Sequence, residues 1–223
     1  IVYNHTISLA ENTANGTNVF NYSQIASDQD AGQTLNYAIT GGNTGNAFAI
    51  NATTGQITVN NSAVLDFENT PPLVLTISVT DSATPALTSS ALLGIKLTDA
   101  NDAPSVYNHT ISLVENTANG TSVFNYSLIA SDQDAGQSLT YAITAGNTNN
   151  AFAINAATGQ ITVNNSAALD FENMPPFVLT ISVTDNGNPA LTSTAKLGIR
   201  LTDANDAPSV YNHTFSIAEN LAN

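Results

Sequence analysis

The chain has 223 residues, of which 17 are acidic and only 3 are basic, giving a formal net charge of −14. Charged residues make up 9% of the sequence, compared with roughly 25% in an average soluble domain. So few cations cannot neutralise a phosphate backbone, and we therefore expect no nucleic-acid partner and no direct contact with an anionic membrane. Because the chain has no cysteine, disulfides cannot stiffen it.

The sequence repeats itself at an interval of 104 residues. Tyr3-Asn4-His5-Thr6 returns as Tyr107-Asn108-His109-Thr110 and again as Tyr211-Asn212-His213-Thr214. The first two copies align without a gap and are identical at roughly five positions in six. We therefore expect an array taken from a longer protein, with domains at 1–102 and 103–206 and the first strand of a truncated third repeat at 207–223.

Apolar and small polar residues alternate with a period of two, which is typical of half-buried strands. Turn residues separate these segments, and no segment has the 3.6-residue period of a helix. Strands are predicted in the first repeat at 6–9, 19–26, 35–40, 48–50, 57–59, 73–79 and 92–98. This spacing predicts an all-β fold of tandem seven-stranded Greek-key sandwiches joined end to end, and its regularity argues against a disordered tract.

One hydrophilic stretch ends each full repeat. Asp99-Ala100-Asn101-Asp102-Ala103-Pro104 returns unchanged at 203–208. Each copy offers two carboxylates, an amide oxygen and several carbonyl oxygens, and oxygen ligands of this kind suit calcium. The proline fixes φ and removes a hydrogen-bond donor, so the stretch is interpreted as a stiff, metal-clamped joint.

The acids occupy the same loops in both repeats, close to predicted strand ends. Tight pairs such as Asp28/Asp30 and Asp66/Glu68 repel each other unless a cation joins them. A solvated acidic surface is one alternative, and the paired carboxylates of a glycosidase are another. Because neighbouring loop acids recur in every copy, a repeated structural joint is favoured over one active site, and we expect no enzymatic activity.

Taken in order, the motifs resemble the cadherin repeat over the full length of the chain. Ala10-Glu11-Asn12 is similar to the opening acidic motif of that family, and Asp28-Gln29-Asp30 is similar to its Asp-x-Asp loop. Leu65-Asp66-Phe67-Glu68 resembles the Leu-Asp-x-Glu motif, and 99–104 resembles the linker. The resemblance implies an immunoglobulin-like topology and calcium ions held where neighbouring repeats meet.

The resemblance also implies a ligand set for about three calcium ions at the joint 99–104. The first repeat would supply Glu11, Asp66, Glu68, Asp99, Asp102 and the carbonyl of Ala100. Nearer the second repeat, the ligands would be Asn101, Ala103, Asp132, Asp134, Gly136 and Asp185. Fewer ions are expected at the two ends of the array, where the candidate ligands are Asp28, Asp30, Asp81, Glu115, Asp170, Glu172, Asp203 and Asp206.

The composition bears on function as well. The chain has no tryptophan, so the tryptophan-based strand exchange of vertebrate cadherins is not implied, and homophilic contact stays open. Near-identical acidic repeats without cysteine resemble the cadherin-like repeats of very large bacterial surface adhesins. We therefore expect calcium-rigidified extender repeats on an extracellular cell surface, with calcium and neighbouring repeats as partners. The alternative is an adhesion or polysaccharide-binding module.

Overall fold

The computed structural model describes residues 1–217 and Glu219, and it divides into two compact units. The first unit comprises Ile1–Asp102 together with Gln133–Gly136. The second comprises Ala103–Asp132 together with the described residues from Gln137 onward. Both units are β-sandwiches, which confirms the predicted all-β class, and no described helix is long and apolar enough to cross a bilayer.

The first unit contains seven strands in two sheets. One sheet has the order β1-β7-β6-β3 and the other has the order β2-β5-β4. Their bounds are β1 His5–Ala10, β2 Asn18–Asn21, β3 Leu35–Gly41, β4 Phe48–Ile50, β5 Gln56–Val59, β6 Leu73–Asp81 and β7 Thr88–Thr98. β1 runs parallel to β7, whereas the other pairings are antiparallel.

The core of this unit follows from the alternation of side chains along its long strands. In β6, every second residue from Leu73 to Val79 is buried, and Leu75 and Ile77 are fully enclosed. Burying a large aliphatic side chain stabilises the folded state by about 1.5–3 kcal/mol. The intervening residues of β6, such as Thr76 and Ser78, are half-buried on its other face.

The second unit repeats this architecture. Its sheets have the orders β9-β16-β15-β12 and β10-β14-β13, and β8 pairs with β11. The bounds are β8 Ser105–Val106, β9 His109–Val114, β10 Ser122–Asn125, β11 Ala130–Ser131, β12 Thr140–Ala145, β13 Phe152–Ile154, β14 Gln160–Val163, β15 Phe177–Thr184 and β16 Thr192–Thr202. The long strands β15 and β16 again supply most of the core.

Two predicted strands differ from the structure. The predicted strand 19–26 ends at Asn21, because the Asn21 side chain accepts a hydrogen bond from the Ser23 amide at 3.0 Å and a 3₁₀ turn follows. The strand predicted at 207–223 is not formed over residues 207–217. Its counterparts β1 and β9 each pair with the last strand of their own repeat. The remainder of that prediction, apart from Glu219, lies outside the described residues.

Candidate metal centre

Glu11 organises the acidic end of the first unit. It follows β1 directly, its amide donates to the Thr98 carbonyl at 3.1 Å, and only 2% of its surface is exposed. Its two carboxylate oxygens accept hydrogen bonds from the amides of Phe67, at 2.6 Å, and Ala100, at 2.8 Å. A buried carboxylate needs such donors, and these two attach the loop after Leu65 and the start of the linker to the end of β1.

Around Glu11, carboxylates converge into two overlapping groups. Oxygens of Glu11, Glu68 and Asp102 lie within 4.8 Å of one another, and so do oxygens of Glu68, Asp99 and Asp134. Calcium binds its oxygen ligands at about 2.3–2.6 Å, so two ligands of one ion lie no more than about 5 Å apart. Both groups therefore fit calcium in donor type and in spacing.

Desolvation and like charges both act on Glu68 at this end of the first unit. Desolvation raises the pKa of Glu68 above its ordinary value, and the charges of Glu11, Asp99 and Asp102 raise it further. Like charges therefore oppose one another here, and a bound cation would reverse that effect.

Asp102 connects the linker to its surroundings. Its side chain accepts hydrogen bonds from Asn12 Nδ2 at 2.7 Å and from Gln133 Nε2 at 3.3 Å. Its amide donates to Asp134 Oδ2 at 2.9 Å, and Asn69 Nδ2 donates to Gln133 Oε1 at 3.0 Å. These hydrogen bonds hold Asp102 and Asp134 beside each other.

Three residues that hydrogen-bond at this site were not predicted from the sequence: Asn12, Asn69 and Gln133. A signal for Asn12 exists, because an asparagine follows the first acid in both full repeats. Asn12 and its counterpart Asn116 adopt φ values of 54° and 56°, a left-handed conformation that asparagine tolerates better than most residues. Gln133 also recurs, because the counterpart of Asp132-Gln133-Asp134 in the first repeat is Asp28-Gln29-Asp30.

Other predicted ligands of this set lie nearby with different partners. Asp66 accepts hydrogen bonds from the amide of Asn69 at 2.8 Å and from its side chain at 3.1 Å. Asp66 belongs to neither of the two carboxylate groups. The amide of Ala100 is taken by Glu11, whereas the ligand roles of the Ala100 carbonyl, Asn101, Ala103 and Gly136 stay predictions.

The second unit builds the same arrangement from its own residues. Glu115 accepts hydrogen bonds from the amides of Phe171, at 2.7 Å, and Ala204, at 2.8 Å. Oxygens of Glu115, Glu172 and Asp203 lie within 4.8 Å of one another. Asp206 accepts from Asn116 Nδ2 at 3.0 Å, and Asp170 accepts from the Asn173 amide at 2.9 Å.

Hydrogen bonds and charges shift two pKa values at this end in opposite directions. The amides of Ala204 and Phe171 stabilise the charged form of Glu115 and lower its pKa. For Glu172, a backbone hydrogen bond favours ionisation, but desolvation and the charges of Glu115, Asp206 and Asp203 together raise its pKa above the ordinary value.

The remaining predicted acids lie away from these clusters. Asp28, Asp30 and Asp81 line a polar cavity of about 170 Å³. Since Asp81 precedes the 11-residue strand β7 and Asp99 follows it, they are separated by about 35 Å at a rise of about 3.3 Å per residue. These three acids are therefore brought together, but not with Glu11.

Two further predicted ligands, Asp132 and Asp185, belong to the second unit. Asp185 is buried and accepts hydrogen bonds from the amides of Gly187, at 2.9 Å, and Leu191, at 3.0 Å. Asp81 in the first unit makes the corresponding bonds to Ala83 and Leu87, at 3.1 and 3.0 Å. The metal roles of Asp132 and Asp185 stay predictions.

A family model described as "Cadherin domain" matches this chain twice, over residues 5–98 and 109–202. Protocadherin Fat 4 of Mus musculus is 34% identical over 223 residues, covering 96% of this chain and 4% of that protein. Cadherin-23 of Homo sapiens is 36% identical over 207 residues, covering 89% of this chain and 6% of that protein. The chain thus spans only a small part of these curated relatives.

Solved structures show the same likeness. The crystal structure of mouse Cadherin-23 EC22-24 superposes with a TM-score of 0.54 at 30% identity, covering 90% of this chain and 63% of that one. Human Protocadherin-24 EC1-2, form II, gives a TM-score of 0.56 at 27% identity and covers 90% and 95% of the two chains. These relatives are animal proteins, so they lend no support to the expected bacterial parent.

Proposed function

The chain belongs to the cadherin family, and on that premise we propose that its two domains are calcium-stiffened repeats of a large extracellular adhesion protein. In this role they extend the protein from a cell surface, and calcium at the linker limits the movement of one repeat against the next. The relatives are many times longer than this chain, which suits a spacer within a long array.

The observation that carries this proposal is the position of Asp134. Its carboxylate lies within 4.8 Å of oxygens from Glu68 and Asp99, although 31 residues of sequence separate it from Asp102. Glu68 and Asp99 precede the linker in the sequence, and Asp134 follows it. An ion held by these three carboxylates would therefore bind residues from both sides of the linker in one coordination shell.

Electrostatics supplies the mechanism. The five carboxylates of Glu11, Glu68, Asp99, Asp102 and Asp134 carry a formal charge of −5 when ionised. Without a metal they repel one another, which weakens the attachment of the linker and of residues 133–136. With calcium bound, the same carboxylates attract a shared cation, so metal binding and local ordering become coupled.

We also propose that the protein lies outside the cell. Acidic repeats that order on binding calcium suit the outside of a cell. The bacterial parent stays a prediction from resemblance, and the absence of enzymatic activity stays a prediction from the recurrence of the loop acids in both repeats. About three ions at the first acidic end, and fewer at the other sites, is likewise part of the proposal.

Small-angle X-ray scattering in calcium and then in a chelator tests the proposed stiffening. We expect the maximum dimension to be larger and better defined in calcium, and the Asp134→Asn variant to need more calcium for the same change. Glu219→Gln removes an acid outside the clusters and serves as the control. An unchanged scattering profile on chelation would exclude the stiffening role.

An adhesive module acting through homophilic contact is the second candidate, favoured by the family membership itself. Sedimentation velocity in calcium separates it from a spacer. Dimers that depend on both calcium and protein concentration would support adhesion, whereas a monomer at all concentrations supports the spacer.

A further inference from the structure

A groove on the first unit lies outside the acidic clusters. Its volume is about 370 Å³, and apolar atoms form most of its lining. Phe67, Pro71 and Pro72 contribute from the loop before β6, Gly94 contributes from β7, and Lys96 borders the groove. Phe67 keeps 44% of its surface exposed here, so a large aromatic side chain is available to a partner.

The second unit repeats the groove at equivalent positions. Two cavities of about 360 and 420 Å³ share Pro176 and Arg200 in their linings. Phe171 stands where the first unit has Phe67 and keeps 47% of its surface exposed. The groove is thus a property of the repeat rather than of one copy.

The lysine and arginine residues of the chain lie at these grooves. Its only three basic residues are Lys96, Lys196 and Arg200. Lys96 lines the first groove, and Lys196 and Arg200 line the second. Lys196 donates to Thr180 Oγ1 at 2.6 Å, whereas no ion pair involves Lys96 or Arg200 within the part of the chain that the structure describes.

An apolar groove with a cation at its border is locally complementary to a carboxylate next to an apolar group. We propose that each groove docks an acidic segment of a partner protein. One apolar side chain of that segment enters the groove beside Phe67 or Phe171, and a neighbouring carboxylate pairs with Lys96 or Arg200. No acid of the carboxylate groups lines these grooves, although the backbone amides of Phe67 and Phe171 donate to Glu11 and Glu115.

Other occupants fit less well. A sugar brings several hydroxyl groups that each need a hydrogen-bond partner, but the first groove is lined mainly by apolar atoms. A second copy of the chain would need about 800 Å² of contact per partner for a stable interface, far more than this groove offers. An anionic membrane fits less well because its recognition takes a cluster of several basic residues, whereas the grooves hold only Lys96 or Lys196 and Arg200.

Binding at one groove is expected to be weak, because a single exposed ion pair and one side chain make up the contact. Each unit has its own groove, so the chain offers two separate sites of this kind.

Nuclear magnetic resonance tests the proposal on the whole chain in calcium. The probe is the peptide acetyl-Gly-Asp-Phe-Gly-amide, and the amide signals of Gly94, Ile95, Gly198 and Ile199 are followed. We expect saturable shifts at these positions and at least about threefold weaker binding when the aspartate of the peptide is replaced by asparagine. Equal binding of the two peptides would overturn the proposed charge pairing.

Variants of the chain make the test specific. Lys96→Gln is expected to weaken binding at the first groove about threefold and to leave the second unchanged, and Arg200→Gln should do the reverse. Phe67→Ala should abolish the shifts of Gly94 while the thermal transition of the protein persists. If 3-phenylpropionate bound as tightly as the peptide, the occupant would be a small free acid, and the proposed protein partner would be wrong. Shifts confined to the acidic clusters would also overturn it.

Discussion

The acidic ends of the two units carry the same residues in different surroundings. In the second unit, Glu115, Glu172 and Asp203 form one group of three carboxylates. In the first unit, Glu68 belongs to two groups, because Asp134 and the other residues of Gln133–Gly136 cluster with that unit. The groups thus differ in membership among the described residues: Asp134 joins the first end, and Asp102 lies with Glu11 and Glu68 where Asp203 lies with Glu115 and Glu172.

Removing calcium should change the stability of the two units more than any substitution does. An ion present at 100 times its dissociation constant stabilises the folded state by about 2.7 kcal/mol. Chelation should therefore lower the melting temperature by on the order of 10 °C, with greater loss in the first unit. Hydrogen exchange of the Ile77 and Ile181 amides, one in each core, measures the two losses separately. Equal losses would contradict the inequality of the ends.

Glu11→Ala should have the next largest effect on stability. The substitution leaves the amides of Phe67 and Ala100 without their acceptor, and each unsatisfied buried amide costs about 1–3 kcal/mol. We expect the unfolding free energy of the first unit to fall by about 3 kcal/mol, even in a chelator. The conservative Glu11→Gln keeps one acceptor oxygen and should recover part of the loss. If Glu11→Ala mattered only in calcium, Glu11 would be a ligand without a structural role.

Asp134→Asn should reduce the difference between the two acidic ends. Because calcium affinity depends on the number of charged ligands, the substitution should weaken the tightest site about tenfold. Isothermal titration calorimetry measures this change, with Glu219→Gln as the matched loss of one negative charge. If both variants lost affinity equally, net charge rather than the position of Asp134 would control binding.

The pKa shifts predict how stability in a chelator depends on pH. The pKa of Glu68 is raised in the folded protein, so the folded state binds a proton more readily than the unfolded chain, and stability rises as pH falls through the folded pKa. The pKa of Glu115 is lowered, so its contribution is present above the unfolded pKa and is lost as pH falls through the folded value.

Lowering the pH from about 7 towards the ordinary glutamate pKa should therefore stabilise the chelated protein, and more acidic conditions should destabilise it. Glu68→Gln should remove part of this gain in stability on mild acidification. In calcium, the same variant should bind the metal more weakly. Thermal melts at successive pH values check both signs. A monotonic loss of stability from neutral pH downward would contradict the repulsion at Glu68.

The smallest expected effect concerns the two cores. Phe177 packs edge-on against Phe152 with ring centroids 5.1 Å apart, and the first unit has Leu73 in the place of Phe177. Aromatic pairs of this kind contribute about 0.5–1.5 kcal/mol beyond their buried area. Phe177→Leu should therefore reduce the protection of Ile181 by about 1 kcal/mol and leave Ile77 unchanged.

The sequence predicted the fold well because two-residue alternation and turn residues act locally. Seven strands of the first repeat were located, and the error at 19–26 came from one asparagine whose side chain competes with the strand ladder at Ser23. The strand expected at 207–223 is not formed over 207–217; its counterpart β1 pairs with β7, at the other end of the repeat, so the pairing is not a local property of the sequence.

The candidate metal centre was harder to predict from the sequence than the fold. The repeated acids pointed to Glu11, Glu68, Asp99 and Asp102, but the hydrogen bond from Gln133 to Asp102 depends on tertiary structure. The position of Asp134 came only from the resemblance to cadherin repeats. Asp66 accepts a hydrogen bond from the amide of Asn69 in a local turn. The pairing of Asp66 with Glu68 in the sequence did not indicate this contact.

The most direct test of the account is an anomalous difference map from crystals grown in abundant calcium. The account predicts a calcium peak at about 2.3–2.6 Å from carboxylate oxygens of Glu68, Asp99 and Asp134. Ordered water alone among these three side chains, with calcium present in the crystal, would contradict it.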